Sequence, residues 1–134
     1  MNQKLSIITI LICLTFKTMM AQMVGGDKDK HGCRASAGYT FSVIKKECIR
    51  VFEQQVILNE VNPADSSTSI SAVIFSDDKK KAEIFIPGSK ASIVLSRKGK
   101  EGGYVWKKSK YALVPKGSGY SLKKADKIIF ESKA

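Results

Sequence analysis

The chain has 134 residues, with 23 Lys and Arg, 12 Asp and Glu, one His and three Cys, and its formal net charge at pH 7 is +11. This length allows one domain, and a content of 43% hydrophobic and 26% charged residues excludes a disordered chain. The small number of His and Cys residues argues against a multi-ligand zinc site. No apolar run reaches the roughly 18 residues that a membrane-spanning helix needs.

The first segment, residues 1–21, has the pattern of a secretory signal peptide. Lys4 precedes a twelve-residue apolar run, and a short polar stretch leads to Ala21, where we expect cleavage. A buried N-terminal helix is the alternative. Cys13 lacks the small preceding residue that a lipidation signal needs, so no lipid anchor is predicted. We therefore expect an exported chain, periplasmic or secreted, whose net charge falls from +11 to +9 because two lysines are removed.

Residues 22–53 form a separate first region of the mature chain. The polar, glycine-containing stretch 22–32 predicts a flexible lead-in. Cys33 and Cys48 are an even pair in an exported chain, which favours a disulfide, with buried free thiols as the alternative. Between residues 42 and 52 some apolar residues lie near helical spacing, and a helix and a turn-rich loop both fit them.

From residue 54 onward, apolar and polar residues alternate with the period of two that is typical of β-strands. Seven or eight short segments follow one another at about ten-residue spacing, separated by Gly, Pro, Asn and Asp. This pattern predicts an all-β fold over residues 54–134, either a sandwich or a small antiparallel β-barrel of seven or eight strands, and we favour the barrel. The segments are 55–61, 69–76, 82–88, 91–96, 104–106, 111–114, 120–122 and 127–130.

The positive charge is concentrated in the second half of the chain. Residues 22–78 contain six basic and eight acidic residues, whereas residues 79–134 contain fifteen basic and four acidic ones. Many of these lysines alternate with apolar residues, so they are expected to face solvent. They form either a solubilising face or a docking surface for an anionic partner. Nucleic acid is not the expected partner, because an exported protein seldom meets it.

No catalytic motif is visible, and the chain is not predicted to be an enzyme. A Ser nucleophile with its His and carboxylate partners cannot be assigned, and the glycines at 99–103 lack the strand–loop–helix context of a phosphate-binding loop. His31 is expected to be a loop residue. No cofactor and no metal ion are predicted.

Two short motifs in the second half carry a resemblance to a known family. Residues 111–117, YALVPKG, fit a YxxxxKG pattern at every fixed position, namely Tyr111, Lys116 and Gly117. Residues 102–106, GGYVW, lie where an SGxxY pattern belongs: Gly103 matches, Gly102 stands in place of Ser and Trp106 in place of Tyr. With these motifs in this order, roughly residues 70–131 resemble the MliC/PliC family of periplasmic and membrane-bound inhibitors of C-type lysozyme.

The resemblance implies a small antiparallel β-barrel that inhibits a C-type lysozyme or another hydrolase. Loops at one end of such a barrel enter the substrate cleft, where Lys116 would approach the catalytic carboxylates and block proton transfer. Pro115 and Gly117 would present that lysine on a tight turn. An ordinary hairpin turn with an exposed lysine is the alternative. The implied partner-binding residues are Gly102, Gly103, Trp106, Tyr111, Lys116 and Gly117.

The charge of the chain supports a rival hypothesis. C-type lysozymes are generally strongly basic, so a mature protein of charge +9 would be repelled at long range. The rival is a cell-envelope binding module whose lysine-rich sheet face contacts an anionic polymer, such as lipopolysaccharide or an acidic glycan.

Overall fold

The computed structural model describes residues 26–64 and 66–133. The predicted signal peptide at residues 1–21 and Cys13 lie outside them. The described part contains ten β-strands and two three-residue 3₁₀ turns, Ala35–Ala37 and Val51–Glu53, and it has no α-helix. The strands are β1 (Tyr39–Ser42), β2 (Glu47–Arg50), β3 (Val56–Glu60), β4 (Ile70–Phe75), β5 (Lys81–Ile84), β6 (Ile93–Lys98), β7 (Val105–Lys108), β8 (Tyr111–Lys116), β9 (Gly119–Lys124) and β10 (Lys127–Glu131).

Strands β3 to β10 form a closed antiparallel barrel. Each strand pairs with the next one along the chain, and β10 pairs with β3 to close the barrel. The eight alternating segments of the sequence correspond one to one with these eight strands, so the predicted all-β barrel is confirmed. The closing pair is short: only Phe130 with Glu60 and Glu131 with Asn59 are in register.

The inward-facing residues of the eight strands form the main hydrophobic core. Strand alternation places one apolar residue after another on the inner face, and neighbouring strands align them; Leu113, for example, lies between Trp106 and Leu122. Burial of a leucine of this kind stabilises the fold by about 1.5–3 kcal/mol. The buried members are Leu58, Val73, Ala82, Ile84, Leu95, Trp106, Leu113, Leu122 and Phe130.

Because every connection joins neighbouring strands, alternate loops lie at the same end of the barrel. We call one end the motif end; it carries the loops 76–80, 99–104 and 117–118. The other, called the opposite end, carries the loops 61–69, 85–92, 109–110 and 125–126.

Three aromatic rings pack together inside the barrel, with Phe75 5.0 Å from Trp106 and 5.2 Å from Tyr120 between ring centroids.

The segment before the barrel is a β-hairpin rather than a helix. Strands β1 and β2 pair along their full length, from Tyr39 opposite Arg50 to Ser42 opposite Glu47. The helical alternative for residues 42–52 is wrong, because residues 43–46 form the turn of this hairpin, and Lys46 takes a left-handed backbone conformation with φ of 58°. The predicted disulfide between Cys33 and Cys48 is present.

The hairpin covers one outer side of the barrel and creates a second core. Ile49 of β2 is buried together with Ala72 and Ile74 of β4 and with Phe85, just after β5. Those barrel residues alternate with inward-facing ones, so β4 is apolar on both faces. The hairpin removes the outer face of β4 from water, which explains why that strand has four consecutive buried residues.

Residues 26–32, part of the predicted lead-in, form turns in front of the hairpin. The Asp29 side chain accepts hydrogen bonds from the backbone N–H groups of His31 (2.8 Å) and Cys33 (2.9 Å). The N–H of Cys33 is the main reason that the pKa of Asp29 lies below its ordinary value. Lys28 and Arg34 form an isolated antiparallel bridge. These bonds and the disulfide tie the start of the described chain to the hairpin.

Candidate functional site

The barrel brings the two sequence motifs to the same end. The loop containing Gly102 and Gly103 joins β6 to β7, and the turn containing Gly117 joins β8 to β9, so both lie at the motif end. All three glycines are exposed. Gly102 has φ of 83° and Gly117 has φ of 55°, a left-handed conformation that glycine adopts at low cost. Glycine at these two positions therefore allows tight, exposed loops.

Lys116 ends β8 next to this turn, and its side chain is engaged within the protein. Its Nζ forms an ion pair with the carboxylate of Glu131 on β10; the Lys116 side chain is 59% exposed and that of Glu131 is 22% exposed. Strand β9 lies between the two residues, and its Gly119 is directly opposite Lys116. A Cβ at Gly119 would lie 2.4 Å from the side chain of Ser132, so β9 has room only for glycine at this position. The ammonium group thus lies along the barrel wall beside the motif end.

The remaining two predicted partner-binding residues are not presented on the surface of the motif end. Trp106 is only 5% exposed, and its Nε1 donates a hydrogen bond of 2.8 Å to the backbone carbonyl of Lys79. The indole therefore belongs to the core and ties the 76–80 loop to β7. Tyr111 begins β8 and so lies at the opposite end, half-buried. The motif end thus unites Gly102, Gly103, Lys116 and Gly117, and it presents neither ring to a partner.

The motif end contains further residues that the sequence patterns did not single out. The guanidinium carbon of Arg97 lies 4.2 Å from the centroid of the Tyr104 ring, a cation–π arrangement. The Asp78 carboxylate holds the 76–80 turn by accepting hydrogen bonds from the Lys80 N–H (2.9 Å) and the Ser76 hydroxyl (2.7 Å). Both bonds lower the pKa of Asp78, and the bond from the Lys80 N–H has the larger effect. Arg97 and the exposed Lys79, Lys80, Lys98 and Lys100 outnumber the acidic residues of the same loops, Asp77, Asp78 and Glu101, so this end is basic.

A row of lysines crosses the outer wall formed by β5 to β9. The register places Lys81 opposite Ser96, which is opposite Lys107, which is opposite Ala112, which is opposite Lys123. Neighbouring strands lie about 4.8 Å apart, so lysines on alternate strands are about 10 Å apart. We call Lys81, Lys107 and Lys123 the wall row. The small residues between them leave the ammonium groups accessible on a shallow surface.

The only fully buried carboxylate of the described residues, that of Glu83, has a structural task. Glu83 is 0% exposed and lies on the outer side of β5. It accepts hydrogen bonds from the Ser42 hydroxyl (2.6 Å) and from the N–H groups of Val43 (2.7 Å) and Ile44 (3.1 Å), and also from the Ser92 hydroxyl. It therefore anchors the turn of the N-terminal hairpin to the barrel. In the sequence, its position between the apolar Ala82 and Ile84 was the signal that could have identified this residue.

The metal-ligating side chains of the described ranges do not form a group. Within residues 26–64 and 66–133, no group of three His, Cys, Asp or Glu side chains is placed to hold a metal ion. His31 stacks on Phe41 with ring centroids 3.7 Å apart, as a loop residue packed on the hairpin. The same described ranges contain no helix long and apolar enough to cross a membrane.

The chain matches no protein-family model, no curated protein and no solved structure. Its function must therefore be inferred from the barrel, its two ends and its charged wall.

Proposed function

We propose that the mature protein is an exported inhibitor of a lysozyme or a related glycoside hydrolase, and that it acts without catalytic chemistry of its own. The observation that carries this proposal is the position of the 99–104 loop and the 117–118 turn, which project from the same end of a rigid barrel. Two tight loops on one end are suited to entering a cleft, because little conformational entropy is lost on binding. The disulfide of the N-terminal hairpin is compatible with export.

Lys116 is the residue that would act on the enzyme. Its ammonium group already binds a carboxylate, that of Glu131, at a partly exposed position. An exposed ion pair of this kind is worth about 0–1 kcal/mol, so the lysine can exchange its partner at low cost. In a desolvated acidic cleft the same ammonium group would form a stronger, charge-assisted hydrogen bond with a catalytic carboxylate. A carboxylate held in this way can neither donate a proton to the substrate nor accept one from water.

The charge of the motif end limits which enzymes are suitable targets. Basic side chains at 79, 80, 98 and 100 surround the loops, so a strongly basic lysozyme would be repelled during its approach. Raising the salt concentration screens such repulsion and would increase the association rate. The best target of this surface is a hydrolase with an acidic cleft and a surface that is not strongly basic.

The test is a cell-wall lysis assay with the mature chain, residues 22–134, and lysozymes of several classes. We expect inhibition that falls at least about tenfold with Lys116→Ala, the size of one lost charge-assisted bond, and changes little with Lys123→Ala. Lys123 is a matched control because it is also a strand lysine on the outer wall. Absence of inhibition in every class, or equal effects of the two variants, would overturn the proposal.

A second candidate function, binding of an anionic envelope polymer, is supported by the wall row. Lys81, Lys107 and Lys123 repeat at about 10 Å, a spacing that suits repeated negative charges on an extended chain. A polyuronate such as alginate is the appropriate probe. Each Lys→Gln change in the row should weaken binding by a similar factor, and salt should weaken it steeply. Inhibition, in contrast, should depend on Lys116 far more than on the wall row, so comparing Lys116→Ala with the row variants separates the two candidates.

A further inference from the structure

A second row of charged side chains crosses the barrel at the opposite end. The register places Lys108 opposite Tyr111, Tyr111 opposite Lys124, and Lys124 opposite Lys127. Three lysines and one tyrosine thus lie side by side on four consecutive strands. We call these four residues the mouth row.

Strand alternation points the mouth row toward the open mouth of the barrel. Lys108 follows the inward-facing Trp106 by two positions, and Lys124 follows the inward-facing Leu122 by two positions. The Tyr111 ring packs against the main core. The wall row faces outward, so the two rows are on different surfaces and at different heights of the barrel.

The mouth row places two like charges directly opposite each other in one hairpin. Lys124 and Lys127 flank the two-residue turn Ala125-Asp126, in which both residues have positive φ, 49° and 65°. Directly opposite residues of a strand pair lie about 5.5 Å apart between Cα atoms or closer, and like charges there are destabilising. No ion pair between described residues involves any of the three lysines. The hairpin thus carries an electrostatic cost that an anion would remove.

A cavity lies beside these lysines and has room for more than an ion. Its volume is about 400 Å³, and Tyr111, Lys124 and Lys127 are among its lining residues. The apolar side chains of Ile86 and Phe130 contribute to the rest of its lining. A ligand in this cavity would therefore meet ammonium groups, a phenol and apolar surface.

Two acidic residues belong to the same region and lower its positive charge. Glu60 lines the cavity, and its carboxylate accepts a hydrogen bond of 3.1 Å from the N–H of Ser69. Asp126 lies in the exposed turn between the two lysines of the hairpin. Lys110 adds a further positive charge from the neighbouring turn. Counting Lys108, Lys110, Lys124 and Lys127 against Glu60 and Asp126, the described residues at this mouth remain net positive.

We propose that this mouth binds a small amphipathic anion, namely a phosphate monoester or carboxylate attached to an apolar group. The anionic group would lie between Lys124, Lys127 and the Tyr111 hydroxyl, and the apolar group would contact Ile86 and Phe130. The proposal does not rest on the inhibitor function, because the mouth and the motif end are at opposite ends of the barrel. Tyr111 is too far from Lys116 to contact a partner at the motif end. The proposal gives it a binding role at the opposite end instead.

The experiment is a titration of the ¹⁵N-labelled mature protein with phenyl phosphate, followed by amide chemical shifts. We expect saturable shifts centred on Tyr111, Lys124 and Lys127. Benzoate distinguishes a carboxylate from a phosphate source of the anionic group. Phenol lacks the charge and inorganic phosphate lacks the ring, so each should bind at least about tenfold more weakly than phenyl phosphate if both halves of the cavity are used.

Matched double variants test the location. K124Q/K127Q should weaken phenyl phosphate binding by at least about tenfold, whereas K107Q/K123Q, which removes two charges from the outer wall, should change it by no more than about twofold. Tyr111→Phe removes only the hydroxyl and should weaken binding about threefold. Lys127→Gln should also raise the Tm, because it removes the like-charge pair. Equal losses in the two double variants, shifts that do not saturate, or an unchanged or lower Tm would overturn the proposal.

Discussion

Lys116 of β8 and Glu131 of β10 form an ion pair across β9, in which Gly119 is opposite Lys116 and Ser121 is opposite Glu131. The pair bridges the strand that separates them and keeps the lysine at the wall of the barrel. The ammonium group of the proposed inhibitory lysine is therefore already bound to a carboxylate in the free protein. Binding to an enzyme carboxylate must break this internal contact.

Removal of the internal partner should strengthen inhibition. Glu131→Gln frees Lys116 and removes one acidic competitor, so we expect inhibition to improve by a few-fold, which corresponds to the 0–1 kcal/mol of an exposed ion pair. The free energy of unfolding should fall by no more than about 1 kcal/mol. Lysis assays and urea unfolding measure the two effects. Glu101→Gln, which changes an exposed loop carboxylate at the same end, is the control, and equal improvement in it would contradict the prediction.

Replacement of Glu83 should uncouple the hairpin from the barrel. Glu83→Ala removes the acceptor of the buried Ser42 hydroxyl and of the part-buried N–H groups of Val43 and Ile44, and a buried unsatisfied donor costs about 1–3 kcal/mol. We expect a loss of this order in the free energy of unfolding, measured with urea, and faster hydrogen exchange at these two amides. Glu83→Gln keeps one acceptor oxygen and should lose less. A Glu83→Ala protein with unchanged exchange at the hairpin turn would refute the anchoring role.

Trp106 gives a direct optical test of the barrel interior. It is the one Trp of the chain and is 5% exposed, so its fluorescence should be blue-shifted in the folded protein and resist aqueous quenchers. Trp106→Phe removes the hydrogen bond to Lys79 and part of the core, which should cost about 1–3 kcal/mol. A native spectrum already typical of solvated indole, or a quencher that reaches it freely, would show that the ring is not in the core.

Reduction of Cys33–Cys48 should destabilise the N-terminal region. The two cysteines are 15 residues apart, and a loop of that size is worth about 3 kcal/mol in the chain-entropy model. Mass spectrometry before and after reduction should show a gain of two hydrogen atoms. Urea unfolding of the Cys33→Ser/Cys48→Ser variant measures the stability change. A mass that reduction leaves unaltered would reject the disulfide.

The turn that contains Asp29 should respond to acid. The N–H of Cys33, and to a lesser degree that of His31, lowers the pKa of this carboxyl, so its folded pKa lies below the unfolded one. A group shifted in this direction stabilises the fold above its unfolded pKa, and the contribution is lost as the pH falls through its folded pKa. The Cys33 amide should therefore keep its hydrogen bond down to the ordinary pKa of an aspartate and lose it only in more acidic solution. NMR titration of that amide measures it, and Asp29→Asn should abolish the transition.

The sequence alone predicted the strands of residues 54–134, seven or eight in number, and their order along the chain. Alternation with a period of two identifies strands and separates inner from outer side chains, and the Gly, Pro and Asp breaks mark the turns. The cysteine pair, in a chain expected to be exported, was likewise enough to predict the disulfide. Residues 42–52 were ambiguous because their few apolar residues fit a helical spacing, and the partner strand that makes them a hairpin cannot be read from spacing.

Only the tertiary structure decided which residues contact the outward-facing side chains and those at the strand ends. Alternation gave Glu83 an outward position, but the hairpin that buries it comes from forty residues earlier in the chain. Lys116 and Tyr111 belong to one motif, yet a strand of six residues carries them to opposite ends of the barrel. Barrel closure and register choose the neighbours of each residue, and these long-range pairings turned a general excess of lysine into two separate rows, one on the wall and one at the mouth.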